Sequence, residues 1–176
     1  MTNQSKHKLN SKTLTQLALL IALQVILTRF LSIQTPIVRI GFGFLPLAIM
    51  GIMYGPKIAF VGGIISDILG FFMFPTGTYF PGFTLTTGLT ALIFGVFLYN
   101  KTYSIKHVII ASIVVCLGLN LCLDTYWLSI LLGKGYLALL PTRIVKSLVM
   151  IPVQVATISI VWDKFLNKIR GVLISR

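Results

Sequence analysis

Seven charged side chains in an otherwise apolar chain define the chemistry open to it. The sequence holds 15 Lys and Arg against three Asp and Glu, a formal net charge of +12. Ten of the basic residues (Lys6, Lys8, Lys12, Lys57, Lys101, Lys106, Lys164, Lys168, Arg170 and Arg176) fall in tails and turns expected to face the cytoplasm, the usual Lys/Arg bias of a membrane protein. The other five, Arg29, Arg39, Lys134, Arg143 and Lys146, map to the outer half of the membrane or just beyond it. Topology does not need cations there, so they point to an anionic ligand arriving from outside. Asp67 and Asp124 lie inside apolar stretches, where a carboxylate is costly and by default marks a functional site.

Helical spacing groups these residues with others. Asn120, Asp124 and Trp127, at steps of four and three, share a stripe that offers an amide, a carboxylate and a large aromatic surface. Arg143, Lys146, Ser147, Met150, Gln154 and Thr157 form a second stripe, too polar to face lipid. Asp67 shares a face with Gly63, Gly70, Phe71 and Phe74; the glycines leave room beside the carboxylate and the Phe rings wall it. Plainer explanations stand beside each of these. Asp67 can be a structural partner of a Lys or a backbone group, Asn120 and Asp124 a polar seam between helices, Trp127 an interfacial belt residue, and Lys146 with Asp124 a simple salt bridge. If they instead line one pocket, an Asp accepts from a planar heterocycle with amine and amide edges. Tyr79, Phe80 or Trp127 then sandwich its rings, and Arg29 or Arg39 meets a carboxylated tail.

The elements that must position these residues are membrane helices. The chain is 56% hydrophobic and offers several apolar runs of spanning or near-spanning length. The expected architecture is all-α: six transmembrane helices at about residues 13–31, 42–54, 57–73, 82–99, 106–131 and 141–166, with Pro141 in the first turn of the last. An even number places both termini in the cytoplasm, with the pocket open to the outer face. Basic tails over 1–12 and 167–176 flank one membrane domain over 13–166. The second and third segments are short, which can leave a hollow beneath the outer connections. Those connections, 32–41, 74–81 and 132–140, are the elaborate ones, and function concentrates on loops held by a rigid scaffold. Small-residue pairs (Ala18 with Ala22, Gly51 with Gly55, Gly62 with Ser66 and Gly70, Ala91 with Gly95) allow close helix approach in lipid.

Other classes of function find little support. No Gly-rich phosphate loop with its Lys is present, so any energy source belongs to a partner. His7 and His107 are far apart, and Asp67, Asp124 and Asp163 show no metal-ligand spacing, so neither an enzyme nor a cofactor is expected. Cys116 and Cys122 lie on different helical faces and read as filler. The basic isoelectric point follows from topology and anionic lipid rather than nucleic acid. An autonomous secondary transporter would call for inverted repeats with broken helices, which are not recognisable here.

Several stretches resemble the substrate-binding S components of energy-coupling factor (ECF) vitamin transporters, in particular the folate-specific branch. They are Leu27-Thr-Arg-Phe-Leu-Ser-Ile, Arg39-Ile-Gly-Phe-Gly-Phe-Leu-Pro, Asp67-Ile-Leu-Gly, Phe74-Pro-Thr-Gly-Thr-Tyr-Phe-Pro-Gly-Phe-Thr-Leu, Trp127-Leu-Ser and Leu140-Pro-Thr-Arg-Ile-Val-Lys. The resemblance covers residues 14–154 and implies a multi-pass cell-membrane protein that captures folate or a related pterin from outside. Pterin, aryl linker and glutamate follow the order of carboxylates, aromatics and cations set out above. The resemblance also implies docking to a transmembrane coupling subunit carried by two ATPases, with Ala18 and Ala22 matching the docking motif, and toppling in the membrane to release ligand. Candidate ligand residues are Arg29, Arg39, Asp67, Phe74, Tyr79, Phe80, Asn120, Asp124, Trp127, Arg143 and Lys146. On a regular helix Arg29 falls about 20° from Ala18 around the axis, so a pocket role requires the first helix to end or unwind near Thr28. A thiamine- or riboflavin-type site stays open as an alternative.

Overall fold

The computed structural model describes residues 11–34, 39–75, 78–101, 103–133 and 135–166; the expected basic tails, Lys134 and the side chain of Arg39 lie outside what it describes. The chain is a helical bundle carrying one two-stranded hairpin. Helix α1 (Ser11–Arg29) leads into β1 (Ser32–Gln34), paired antiparallel with β2 (Arg39–Gly41) so that Ile33 faces Ile40. Then come α2 (Phe44–Tyr54), α3 (Pro56–Met73) and α4 (Pro81–Leu98). A continuous rod follows: α5 (Ile105–Ile113), a stretch with π-helical i→i+5 hydrogen bonding (Val114–Leu123) and α6 (Asp124–Leu132). Helix α7 (Tyr136–Val161) closes the bundle and ends in a π turn, Trp162–Leu166.

The boundaries follow local chemistry. Pro56 and Pro81 open α3 and α4 at first-turn positions, where a missing N–H is harmless. Gly55, at φ 83°, makes the sharp corner between α2 and α3. Gly133, in the left-handed conformation at φ 63°, ends α6. One expectation is corrected here. Helix α7 begins at Tyr136, so Pro141 sits inside it rather than in its first turn, as does Pro152. Each proline lacks the donor that would bond the carbonyl one turn back, which a membrane helix tolerates.

Among the described residues five helices are long and apolar enough to cross a membrane, namely Ser11–Arg29, Pro56–Met73, Pro81–Leu98, Ile105–Leu132 and Tyr136–Lys164; α2 is a shorter apolar helix. The fold is therefore that of an all-α membrane protein. In lipid, helices associate through close packing rather than through hydrophobic exclusion. A Cβ added to Gly51 of α2 would lie 2.7 Å from the Gly95 backbone nitrogen of α4. One added to Gly63 of α3 would lie 3.1 Å from Gly88 Cα. These glycines let α4 nest between α2 and α3. An apolar core joins α2, α4, α5 and α7 with its terminal π turn through Ile52, Phe94, Leu98, Val108, Ile158 and Trp162, all nearly inaccessible. Helix α1 is held more lightly. Tyr54 donates to Gln16 Oε1 at 2.8 Å, while Leu14, Leu19, Leu23 and Ile26 remain exposed.

Candidate functional site

A cavity of about 550 Å3 occupies the end of the bundle that carries the paired strands β1 and β2, residues 78–80 and the end of α6. This is within the usual range of a small-molecule site. It opens between Thr78, Tyr79 and Leu132, which are exposed, and reaches down to Thr90, Val115, Met150 and Gln154, of which the last three are buried with Thr90. The short α2 makes room for it: Gly41, Gly43 and Phe44 line the wall where a longer helix would have continued.

Eight of the candidate residues line this cavity: Arg29, Asp67, Tyr79, Phe80, Asn120, Asp124, Arg143 and Lys146. Arg29 is the last residue of α1, so the helix ends within one residue of Thr28 as a pocket role requires, and the side chain reaches the cavity. Its guanidinium lies along α3 over Gly70, where an added Cβ would stand 3.3 Å from Nε, and it interacts electrostatically with Asp67. A long side chain crossing a glycine needs no unwinding of its own helix.

Two candidates are placed elsewhere, and a third, Arg39, is described only through its backbone. Phe74 stacks edge-on against Phe30 at 4.9 Å, outside the cavity wall. Trp127 stands behind the wall, packed on Phe80 at 5.6 Å and Tyr126 at 5.1 Å. From Asp124 the cavity-facing stripe of α6 continues through Leu128, Leu131 and Leu132, steps that leave Trp127 on the flank. Arg39 pairs through its backbone with Gln34, and its side chain is outside the described residues.

The two carboxylates have different surroundings. The Thr84 hydroxyl donates to Asp67 Oδ2 at 2.7 Å. Tyr79 Oη lies 3.2 Å from the same hydroxyl oxygen; one hydroxyl has one hydrogen, so Tyr79 donates in turn. Asp67 thus has Thr84 and Arg29 as protein partners. Asp124 interacts electrostatically with Lys146 and Arg143 and shares a side-chain hydrogen bond with Thr86, while its buried Oδ1 has no hydrogen-bond partner among the described residues. Gln24 Oε1, Gln154 Oε1 and Arg143 Nε, also in the cavity wall, share that condition. Buried polar atoms are normally satisfied, and a group of them around one cavity marks a place for a polar ligand.

Other lining residues were not among the candidates: Gln24, Phe44, Phe71, Phe83 and a set of threonines on α4, Thr86, Thr87 and Thr90. The threonines carried a readable signal, four within seven residues of an apolar helix. Thr87 and Thr90 donate to the carbonyls four residues back (Phe83 and Thr86), so their oxygens keep only acceptor capacity for the cavity, while the Thr86 hydroxyl lies within reach of both Gly82 O and the Asp124 carboxylate.

A helical membrane bundle with an end-opening cavity, lined by acceptors low down and cations around them, is the arrangement of a membrane-embedded small-molecule binder. Among the described residues no group of three or more His, Cys, Asp or Glu could hold a metal ion. The chain matches the family described as "ECF-type riboflavin transporter, S component" over residues 8–170. It is 49% identical over 146 residues to the folate transporter FolT of Clostridium novyi (strain NT), covering 83% of this chain and 85% of that one. It is 32% identical over 155 residues to the folate transporter FolT of Leuconostoc mesenteroides, covering 84% and 83%. A crystal structure of FolT bound with folic acid superposes with a TM-score of 0.80 at 33% identity, covering 85% of this chain and 90% of that one. The chain belongs to the family of ECF transporter S components. It is accordingly a multi-pass cell-membrane transport protein and not an enzyme.

Proposed function

We propose that the chain is the folate-capturing subunit of an ATP-driven ECF importer. The observation that carries this reading is the joint presence of three cations, Arg29, Arg143 and Lys146, and two carboxylates, Asp67 and Asp124, in one end-opening cavity walled by Tyr79 and Phe80. Riboflavin, the vitamin in the family's description, has a planar heterocycle but no carboxylate for those cations to meet. The relatives called folate transporters and the superposition on a folate-bound FolT support the carboxylated vitamin.

In this reading the heterocycle enters first. Its amine and amide edge donates to Asp124 Oδ1 and to the acceptor-only Thr87 and Thr90, and Asn120 supplies an amide beside them. Asp67 orients Arg29, which with Arg39 and Lys146 meets the glutamate. Phe80, backed by Trp127, and Tyr79 cover the aryl linker, and Phe74 braces the mouth through Phe30. The six helices span the membrane with both termini in the cytoplasm and the cavity opening outward, in keeping with the basic residues at the turn end. The loaded chain docks through Ala18 and Ala22 on a transmembrane coupling subunit carried by two ATPases, then reorients to deliver its ligand. Both alanines are exposed, on the lightly packed, lipid-compatible outer side of α1.

Reconstitution tests the transport claim. Proteoliposomes containing the chain, a coupling subunit and its ATPases should accumulate labelled folate only with ATP inside the compartment that holds the ATPases. Uptake by the chain alone, without ATP, would replace this reading with an autonomous transporter.

A further inference from the structure

The rod Ile105–Leu132 changes its hydrogen-bonding pattern halfway along, and the change determines what faces the cavity. On α5 the buried positions are Val108, Ala111 and Ser112, followed by Val115, Cys116 and Leu119. Continued α-helical spacing would bury residues near 122, 123 and 126 next. Instead Cys122 and Tyr126 are exposed, and the buried positions resume at Thr125 and Leu128. The π stretch Val114–Leu123 re-phases the rod, and this brings Asn120 and Asp124 to the cavity.

A π stretch is an uncommon conformation that persists only where the surroundings hold it. Two backbone carbonyls in it accept hydrogen bonds from α7. Arg143 Nη1 donates to Asn120 O at 2.9 Å, and Ser147 Oγ donates to Cys116 O at 3.3 Å. Donors and acceptors are each four residues apart on their own helix, so they form two rungs of one antiparallel seam. Both side chains are buried, Arg143 at 5% exposure and Ser147 at 2%. Ser147 does not line the cavity.

We infer that Arg143 and Ser147 are positioning residues that clamp the π stretch and thereby set Asn120 and Asp124 at the cavity wall. The effect of Arg143 on a ligand then runs largely through the backbone it holds. This rests on the proposed ligand-binding role of the cavity, but the clamp itself is a property of the ligand-free chain.

The experiment pairs hydrogen exchange with binding, using the full-length protein in detergent. In ligand-free protein, Ser147→Ala and Arg143→Met should raise amide exchange within Val114–Leu123 by about tenfold, with α2 to α4 unchanged. Ser147→Thr, which keeps the hydroxyl, should restore the wild-type rate. Ser147→Ala should also weaken folate about fivefold although it touches no cavity atom, and Ser147→Thr should recover the affinity. Arg143→Met should weaken folate and a pterin lacking the glutamate by the same factor. Unchanged exchange in both variants overturns the inference. So does an Arg143→Met loss confined to the ligand that carries carboxylates, because that is the signature of direct charge pairing. If wild-type protein binds neither compound, the folate reading fails while the exchange result still decides the clamp.

Discussion

Thr84 of α4 donates its hydroxyl to Asp67 of α3 at 2.7 Å, so this carboxylate is engaged by the protein before any ligand arrives. With Arg29 acting on it from α1, Asp67 ties three helices together at the cavity mouth. Asp124 has a buried oxygen left over. On the proposed reading the leftover oxygen of Asp124 takes the heterocycle and Asp67 anchors a cation.

Asp124→Asn should therefore be the more damaging of the two amide substitutions. It replaces a charged acceptor with a group that turns a donor toward ligand donors. A charge-assisted hydrogen bond is worth roughly 1.5–3 kcal/mol, so affinity should fall roughly ten- to a hundredfold. Titrating both variants with one pterin checks this. A larger loss at Asp67→Asn would return the heterocycle to α3.

Arg29 and Asp67 should behave as one unit. Arg29→Met and Asp67→Asn should each weaken folate, and the double variant should lose less than the two losses combined. The coupling expected for residues in direct electrostatic contact is about 0.5–3 kcal/mol. Additive losses in a double-mutant cycle would mean that the two act on the ligand separately.

Gly82 should tolerate no side chain. An added Cβ would lie 2.6 Å from both Phe80 and Trp127, so Gly82→Ala pushes the aromatic wall into the cavity. Overpacking of this kind costs about 1–3 kcal/mol, and part of it should appear as roughly tenfold weaker folate binding with the helical circular dichroism retained. Wild-type affinity would show that Phe80 and Trp127 do not shape the site.

Much of this was legible in the sequence. Apolar runs gave the helices to within a few residues, and the spacing of Asp67, Asn120, Asp124, Arg143 and Lys146 picked out residues that converge on one cavity. What escaped has physical reasons. The π stretch is made of the same apolar residues as its α-helical neighbours, so hydropathy is blind to it, and Trp127 falls on the flank because the cavity-facing stripe of α6 runs from Asp124 through Leu128. The reach of Arg29 depends on Gly70, 41 positions later in the chain and on another helix. The hairpin Ser32–Gln34 with Arg39–Gly41 is only three residues per strand, shorter than any alternation that could reveal it. The threonines on α4 stand in an apolar helix without a charge to draw attention, and hydroxyls there are commonly spent on the helix's own carbonyls, as those of Thr87 and Thr90 are.

Docking and capture should separate cleanly. Replacing Ala18 and Ala22 together with Leu changes only exposed positions on α1. Folate binding by the isolated protein should stay within about twofold of wild type, because surface substitutions away from a site are nearly neutral. ATP-dependent uptake with the coupling module should be lost. Loss of binding in the isolated protein would move these alanines from the docking face to the fold.

The most direct test of the central claim is calorimetric titration of the purified chain, without partners, with folate and separately with riboflavin. The account predicts one-to-one folate binding and riboflavin at least about a hundredfold weaker, since the cavity's cations would be left facing a ligand with no carboxylate. Riboflavin binding as tight as folate, or no folate binding by protein shown to be folded, would contradict it.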